Sequence, residues 1–412
     1  MSRPELDPAP LFGALTPFTL RWGLRAIALV YVLMIAASFL DLGQPAHRTP
    51  FGMPLGGDYL PIRTGAELLE RAYDTDLFHQ RLREEDAGRV LELTWQYPPT
   101  YFLFIAWIAA LPYAAGYALW GGANYAAYAA AVPAASPPGW RLALLSAPPA
   151  FACLTAGQNG LAVAALLFAV AALPERRPVL AGVAAGLLTV KPHFGLLIPL
   201  LWIIGGHWRS IRVASGTAFS LALLSVIIFG VEPWISFISR LMETGADVGE
   251  GYYPYDKMIT ALSAARLLGA PPGVAFAAQG LAALFALATA AIVWGRKAPV
   301  ETRGAVLMLG ALIAAPYGYV YDLPVAVFGT ALIALRALRT EPLKYEWESL
   351  AALWAFSMAL PGLPAATDLP FGFGAVAAAY AIALRRAAAD IGAPIIDLKF
   401  TRLRQRRSGL PA

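Results

Sequence analysis

Apolar runs recur along the chain from Trp22 to Leu384, separated by short polar junctions and two longer polar stretches. None of them alternates apolar and polar residues, as the strands of a membrane barrel do. A helix needs about 20 apolar residues to cross a bilayer. The pattern therefore predicts an all-α, polytopic membrane protein with about twelve transmembrane helices, several of them short or broken. The first run, 22–40, is long for the apolar stretch of a signal peptide and lacks a clear small-residue cleavage site, so a retained helix is expected.

Residues 41–97 form the longest polar stretch, with ten acidic and six basic residues. Segments 61–72 and 76–92 carry one apolar face each: Leu68, Leu69 and Ala72, then Leu77, Leu82, Val90 and Leu91. They predict interfacial helices lying on the membrane. Trp95-Gln96-Tyr97-Pro98-Pro99 closes the stretch and opens the apolar run 99–132, which Pro112 divides. Four short apolar pieces follow: 141–155, 159–173, 178–190 and 194–205. At 1.5 Å per residue each covers only about 18–23 Å, short of a 30 Å hydrocarbon core. Short helices survive at that depth only where neighbours or a water-filled cavity satisfy their ends. Longer runs are expected at 210–230 and 274–294, with 231–257 a loop and 258–268 a short interfacial helix. The runs 304–316, 323–338, 349–361 and 371–384 complete the chain.

The junctions orient this pattern. Arg141, Glu175-Arg176-Arg177, Arg209 to Arg212, Arg296-Lys297 and Arg336 to Arg339 are basic and belong inside by the positive-inside rule. The junctions Gly157-Gln158-Asn159-Gly160, Lys191-Pro192-His193 and Pro316 to Asp322 then face outside, and the short outside connections hold only Lys191 as a base. The expected organisation is a cytoplasmic tail 1–21, a membrane domain 22–388 with extracytoplasmic loops 41–97 and 231–270, and a basic cytoplasmic tail 389–412. Both termini lie inside. No internal repeat of the kind that builds transporters is evident.

Composition agrees with this reading. The chain is 58% hydrophobic and 14% charged, against about 25% charged in soluble domains. The net charge of +5 comes from topology-setting junctions and the C-terminal tail and calls for no nucleic acid. The single cysteine, Cys153, excludes an internal disulfide and reads as a small buried hydrophobe. The four histidines are scattered and form no metal-ligand pattern, and no phosphate-binding glycine loop is present. No cofactor and no metal are expected.

Charged and polar residues at membrane depth are the candidates for chemistry. Lys191, between two short apolar helices and ahead of a proline, can hold a phosphate as a point charge; otherwise it snorkels from a helix end. His193 beside it reads either as a site residue or as a packed interfacial histidine. Asp58, within Gly56-Gly57-Asp58-Tyr59, can take a proton from an attacking hydroxyl, or it caps the following helix. Asp322, flanked by Tyr319 and Tyr321, binds substrate or caps within an interfacial aromatic cluster. Gln158 and Asn159 hydrogen-bond a substrate or cap the helix after them.

In order along the chain, Gly57-Asp58-Tyr59, Tyr97-Pro98-Pro99, Gly157-Gln158-Asn159, Gly186 through Lys191-Pro192 and Pro316 through Tyr321-Asp322 resemble the motifs of the family 87 membrane glycosyltransferases. These belong to the C-type superfamily, which includes polyprenyl-phosphate-mannose-dependent mannosyltransferases. The resemblance covers about 50 to 340. It implies transfer of a hexose, mannose in the first place, from a polyprenyl-phosphate-sugar donor to a lipid or glycan acceptor. The reaction would run on the outer face of the cytoplasmic membrane, with inversion and with Asp58 as base. It further implies that Tyr59, Tyr97, Gln158, Asn159, Lys191, His193, Tyr319, Tyr321 and Asp322 bind substrate. Some family members have a histidine near the Tyr321-Asp322 position, where this chain has none. The competing expectations are a lipid or glycolipid transporter, built on the same broken helices, and a non-catalytic scaffold of an envelope assembly.

Overall fold

The computed structural model describes residues 55–85, 94–250 and 253–395, except the side chains of 245–247 and 249–250, together with positions 25, 26, 29, 30, 32 and 33. The first apolar run and the two tails fall wholly or largely outside the described residues, as do the stretches 41–54 and 86–93 of the first polar region.

The described chain is helical, and its one β-bridge joins Met258 to Tyr319. In order come α1 (Tyr59–Leu68), a 3₁₀ turn (Leu69–Tyr73) and α2 (Thr75–Glu85). A winding segment follows: a 3₁₀ turn (Pro99–Tyr101), α3 (Phe102–Ile105) and another 3₁₀ turn (Ala106–Ala110). Then come α4 (Tyr113–Ala135), α5 (Arg141–Leu145), α6 (Pro148–Ala156), α7 (Gly160–Ala172) and α8 (Pro178–Leu187). After two further 3₁₀ turns (Leu188–Val190 and Pro192–Gly195) come α9 (Ile198–Ile204), α10 (Trp208–Phe229) and α11 (Glu232–Glu250). The remainder is α12 (Ala261–Leu267), α13 (Pro272–Gly295), α14 (Val300–Ala314), a 3₁₀ turn (Val320–Asp322), α15 (Pro324–Arg339), α16 (Glu346–Phe356), α17 (Leu363–Thr367) and α18 (Phe371–Ile391).

Prolines set many of these starts. Pro112, Pro148, Pro178, Pro272 and Pro324 stand at or beside a first helical position, where the missing N–H costs nothing and φ is already helical. Pro133 lies inside the last turns of α4, where it breaks only a terminal hydrogen bond. The largest departure from expectation is α11. The stretch 231–257 reads as a loop because acids and glycines dilute it, yet it forms a 19-residue helix. Phe237 packs on Tyr73 and Trp234 bonds Ser225, while Ile235, Ile238, Leu241 and Met242 stay exposed.

α14 is the axis of the fold. From Gly304 to Ala314 every residue is buried, as expected for a helix apolar all round. It packs between α13 and α15, with α7 and α18 closing the ring. Charges collect at its first turn. Arg339 pairs with Glu301, Thr302 donates to Asp390 at 2.5 Å, and Arg336 reaches Asp390 at 3.0 Å. One turn earlier than Asp390 on α18, Arg386 pairs with the buried Glu346. Among the described residues three helical segments, Trp208–Phe229, Pro272–Gly295 and Val320–Arg339, are long and apolar enough to cross a membrane, and four shorter apolar ones accompany them.

α8 and α10 pack along each other more extensively than any other pair of described helices, and glycine is the reason. A Cβ on Gly182 would fall 2.6 Å from Val213 Cβ and 2.7 Å from the Ser210 carbonyl oxygen; one on Gly186 would fall 2.4 Å from Thr217 Cβ. The two glycines, four apart, meet residues four apart in the same sense, so the helices run parallel. Small residues at this spacing let backbones approach where no hydrophobic effect drives helices together. Gly186→Leu is expected to cost about 1–3 kcal/mol by overpacking, seen as a lower melting temperature in detergent, whereas Gly216→Leu, which faces open space, is expected to leave melting unchanged.

Candidate active site

The candidate site forms where several chain breaks converge, and the convergence starts at the C-terminus of α6. Gly157 ends that helix in the left-handed region at φ 79°, the usual role of a terminal glycine. Its N–H bonds the Cys153 carbonyl at 3.0 Å. The next carbonyls, on Thr155 and Ala156, accept from the backbone N–H of Gly56 at 2.7 Å and of Asp58 at 2.9 Å. The turn bearing Asp58 is thus fastened to the end of α6 by groups a helix otherwise leaves unpaired. Gly56, at φ 71°, admits this approach: a Cβ there would lie 2.7 Å from the Tyr113 hydroxyl. A Cβ on Gly157 would lie 2.5 Å from Tyr59 Cβ, and one on Gly160 only 2.0 Å from the Tyr321 carbonyl oxygen. The stretch 157–160 is therefore a seam, with the Asp58 turn on one side and the Tyr321-Asp322 turn on the other.

Lys191 ends the α8 segment. A residue before proline is driven out of the helical region, and Lys191 sits at φ −134°, ψ 73°. Its ammonium donates to Asp322 Oδ1 at 2.7 Å, with both side chains almost fully buried. The other carboxylate oxygen, Oδ2, accepts from Tyr319 N–H at 3.1 Å. The Lys191 ammonium also lies 5.0 Å from the Tyr321 ring centre and 5.9 Å from that of Phe194. Tyr319 and Tyr321 stack on each other at 5.1 Å.

Asp58 lies outside the apolar spans. Part of its surface stays accessible, but protein surrounds it closely enough that burial pushes its pKa up to about 6. Lys257 and Lys191 pull it back down, and Asp322 pushes it further up. Asp58 stands at the N-cap position of α1 without capping it through its side chain, and the same holds for Asn159 at the start of α7. The capping alternatives therefore do not account for these two residues.

The remaining predicted residues divide. Tyr97 donates its hydroxyl to Gln158 Oε1 at 3.0 Å and stacks on Tyr101 at 4.2 Å; Tyr101 in turn accepts from Asn159 Nδ2 at 3.0 Å. Asn159 Oδ1 is buried with no protein partner. His193 is half-buried, with its ring against Phe194. Tyr59 is fully buried and packs edge-on against Tyr113 and Tyr117, behind the turn that carries Asp58. Sequence reasoning missed the segment 253–258. Tyr253 meets Gln96, Ile259 N–H bonds the Gly318 carbonyl at 2.9 Å, and the exposed Lys257 acts electrostatically on Asp58. The available signal was a lysine ending the aromatic run Tyr252-Tyr253-Pro254-Tyr255 in an otherwise acidic loop. Among the described residues no group of three His, Cys, Asp or Glu side chains is placed to hold a metal ion.

A carboxylate of raised pKa, a lysine–aspartate pair and a lining of tyrosines, at the ends of apolar helices, define a polar site embedded in a membrane-type helical bundle. The model of glycosyltransferase family 87 matches residues 95–316, more than half of the chain, and the chain belongs to that family. No curated protein matches it, and neither does any solved structure.

The Lys191–Asp322 pair makes a direct prediction. Removing one partner leaves an uncompensated buried charge, which costs about 3–5 kcal/mol. Lys191→Met is expected to lower the melting temperature strongly, and Lys191→Met/Asp322→Leu to recover much of the loss. A double variant no more stable than the single one would refute the pairing.

Proposed function

We propose that this family member transfers a hexose, in the first place mannose, from a polyprenyl-phosphate-sugar donor to a lipid or glycan acceptor. The observation that carries the reading is Asp58: a carboxylate with its pKa raised to about 6, held by backbone bonds within electrostatic reach of a buried lysine. General bases work best with a pKa near the working pH. In the reaction Asp58 takes the proton of the acceptor hydroxyl. The hydroxyl oxygen bonds to the anomeric carbon from the face opposite the phosphate, with inversion. The anomeric C–O bond to the phosphate breaks, and its electron pair leaves with the polyprenyl phosphate. Lys191, which spends one of its three N–H donors on Asp322, offers positive charge where negative charge develops. Lys257 approaches from the second loop. Tyr97, Tyr319, Tyr321, Gln158, Asn159 and His193 line the sugar and phosphate positions, Tyr59 backs the turn that carries Asp58, and the apolar bundle receives the polyprenyl chain. Membership of a glycosyltransferase family favours this reading over a transporter or a scaffold.

The proposed setting is the cytoplasmic membrane, with both termini inside, the site facing outside, and about twelve crossings of which the short helices make several. In membranes supplied with labelled polyprenyl-phosphate mannose, Asp58→Asn is expected to lower transfer about 10²–10⁴-fold, the range of general-base contributions. The wild-type rate is expected to rise as pH passes upward through about 6, because the base must be deprotonated. Full transfer by the variant would remove Asp58 from the base role. The orientation is checked separately, in a Cys153→Ala background. Single cysteines at the exposed positions 76 and 257 are expected to react with an impermeant thiol reagent from outside, and cysteines at 175 and 296 only after the membrane is opened.

A further inference from the structure

α10 and α13 are both long and apolar enough to cross a membrane, and the chain joins the end of one to the start of the other through α11 and α12. Neither connecting helix can cross. α12 has seven residues, and α11 carries Glu232, Arg240 and Glu243, each costly at membrane depth. The end of α10 and the start of α13 therefore belong to one surface, and α11 is packed at both places. Its first turn lies against α10, where Trp234 Nε1 donates to Ser225 Oγ at 3.0 Å. Its last turn holds Val248 in a buried cluster with Leu262 and with Ala275 of the first turn of α13. Gly230, at φ 84° and ψ 179°, makes the bend between α10 and α11 in a backbone region essentially confined to glycine. A helix of 19 residues, about 28 Å long, thus runs along that surface rather than away from it.

Around its axis α11 has three faces. Trp234, Phe237 and Val248 pack on protein, Phe237 against Tyr73. Glu232, Ser239 and Glu243 form an exposed polar line. Val231, just ahead of the helix, then Ile235, Ile238 and Met242 form an apolar line, 53–78% exposed. Their spacing of i, i+4, i+7 and i+11 keeps them on one stripe, roughly a quarter turn from each of the other two faces. The stripe continues an apolar surface already turned to lipid. α10 buries only Ser210 and Ser225, and Ile227 and Ile228 at its end are 70% and 56% exposed. A second copy of the chain is a poor occupant, since a stable interface takes about 20–30 residues a side and the stripe offers four. Headgroup charge is not the attraction either: Arg240 pairs with Glu243 at 3.0 Å, and Glu232 leaves the polar side acidic. We propose that α11 lies in the plane of the membrane, with Val231, Ile235, Ile238 and Met242 dipping into the acyl chains of the leaflet at which α10 ends.

The placement rests on the membrane setting given above for α10, and the test separates the two. The full-length protein, in a Cys153→Ala background, is reconstituted in phosphatidylcholine vesicles with one spin label at a time. Collisions are read with oxygen, which concentrates in lipid, and with a water-soluble nickel chelate. All labelled positions are exposed, so the fold is kept. Labels at Ile238→Cys and Met242→Cys are expected to favour oxygen several-fold, at a depth of about 5–10 Å in the boundary between headgroups and acyl chains. Labels at Ser239→Cys and Glu243→Cys are expected to favour the chelate, and one at Phe219→Cys, midway along α10, to lie deeper than all of them. Added phosphatidylglycerol is expected to leave the pattern unchanged. Chelate access at 238 and 242 equal to that at 239 and 243, with 219 in lipid, overturns the placement of α11 alone. Chelate access at 219 as well overturns the crossing of α10 and the placement with it. Labels at 238 and 242 shielded from both reagents and broadened by a second label nearby put another copy on the stripe and overturn the lipid contact. A pattern that needs phosphatidylglycerol assigns the contact to headgroup charge and overturns it too. None of these readouts involves sugar transfer, so they stand apart from the assignment of Asp58.

Discussion

A lysine and a carboxylate 2.7 Å apart and almost dry set the terms for the rest of this structure. Neither could be buried alone, since an unpaired charge in such surroundings costs several kcal/mol. Burial of the pair therefore requires the break after α8 and the turn before α15 to meet. Asp322 completes the requirement by accepting the Tyr319 N–H with its second oxygen, which fixes the turn as well as the lysine. The rings of Tyr321 and Phe194 flank the ammonium, and their faces favour a cation. The result is a charge held rigidly at a place where neither helix continues.

The same turn is held from a second direction by the absence of side chains. Gly160 lets the Tyr321 carbonyl approach, and Gly157 lets the Asp58 turn approach. The stretch between them carries Gln158 and Asn159, whose amides engage Tyr97 and Tyr101. One short junction thus sets the spacing between two acidic turns far apart in sequence. Coupling between these groups is visible in the electrostatics of Asp58, which responds to Lys191, Lys257 and Asp322 together. Local backbone packing, rather than any single side-chain bond, places the carboxylate.

Much of this was legible in the sequence, and the reason is that breaks are local. Lysine before proline, glycine after a helix and tyrosine–aspartate between two apolar runs each announce an interruption through backbone chemistry alone. Three of the four short apolar helices follow closely from run length, whereas 141–155 is broken ahead of Pro148 into α5 and α6. What was not legible is partnership. Lys191 and Asp322 lie 131 residues apart, and nothing in either neighbourhood selects the other. α11 was missed because its apolar residues recur only on one stripe, Ile235, Ile238, Leu241 and Met242, among acids and glycines that read as loop. Lys257 was missed because an exposed lysine acquires meaning only when another loop folds over a carboxylate.

The glycine register between α8 and α10 also fixes how deep the lysine sits. Gly186 lies level with Thr217, and the two helices rise together. Lys191 comes five residues later along one of them, so it stands roughly 8–10 Å above that level. α10 continues from Thr217 to Phe229, which carries it about 18 Å above the same level. Lys191 is therefore about 8–10 Å short of the end of its neighbour. If α10 spans the hydrocarbon core, the cation lies well below the surface toward which both helices run. A soluble substrate has little reason to find a cation at that depth. A phosphate anchored to a long apolar chain would arrive from the side, already at that level, and this is the physical ground on which a lipid-linked donor is proposed.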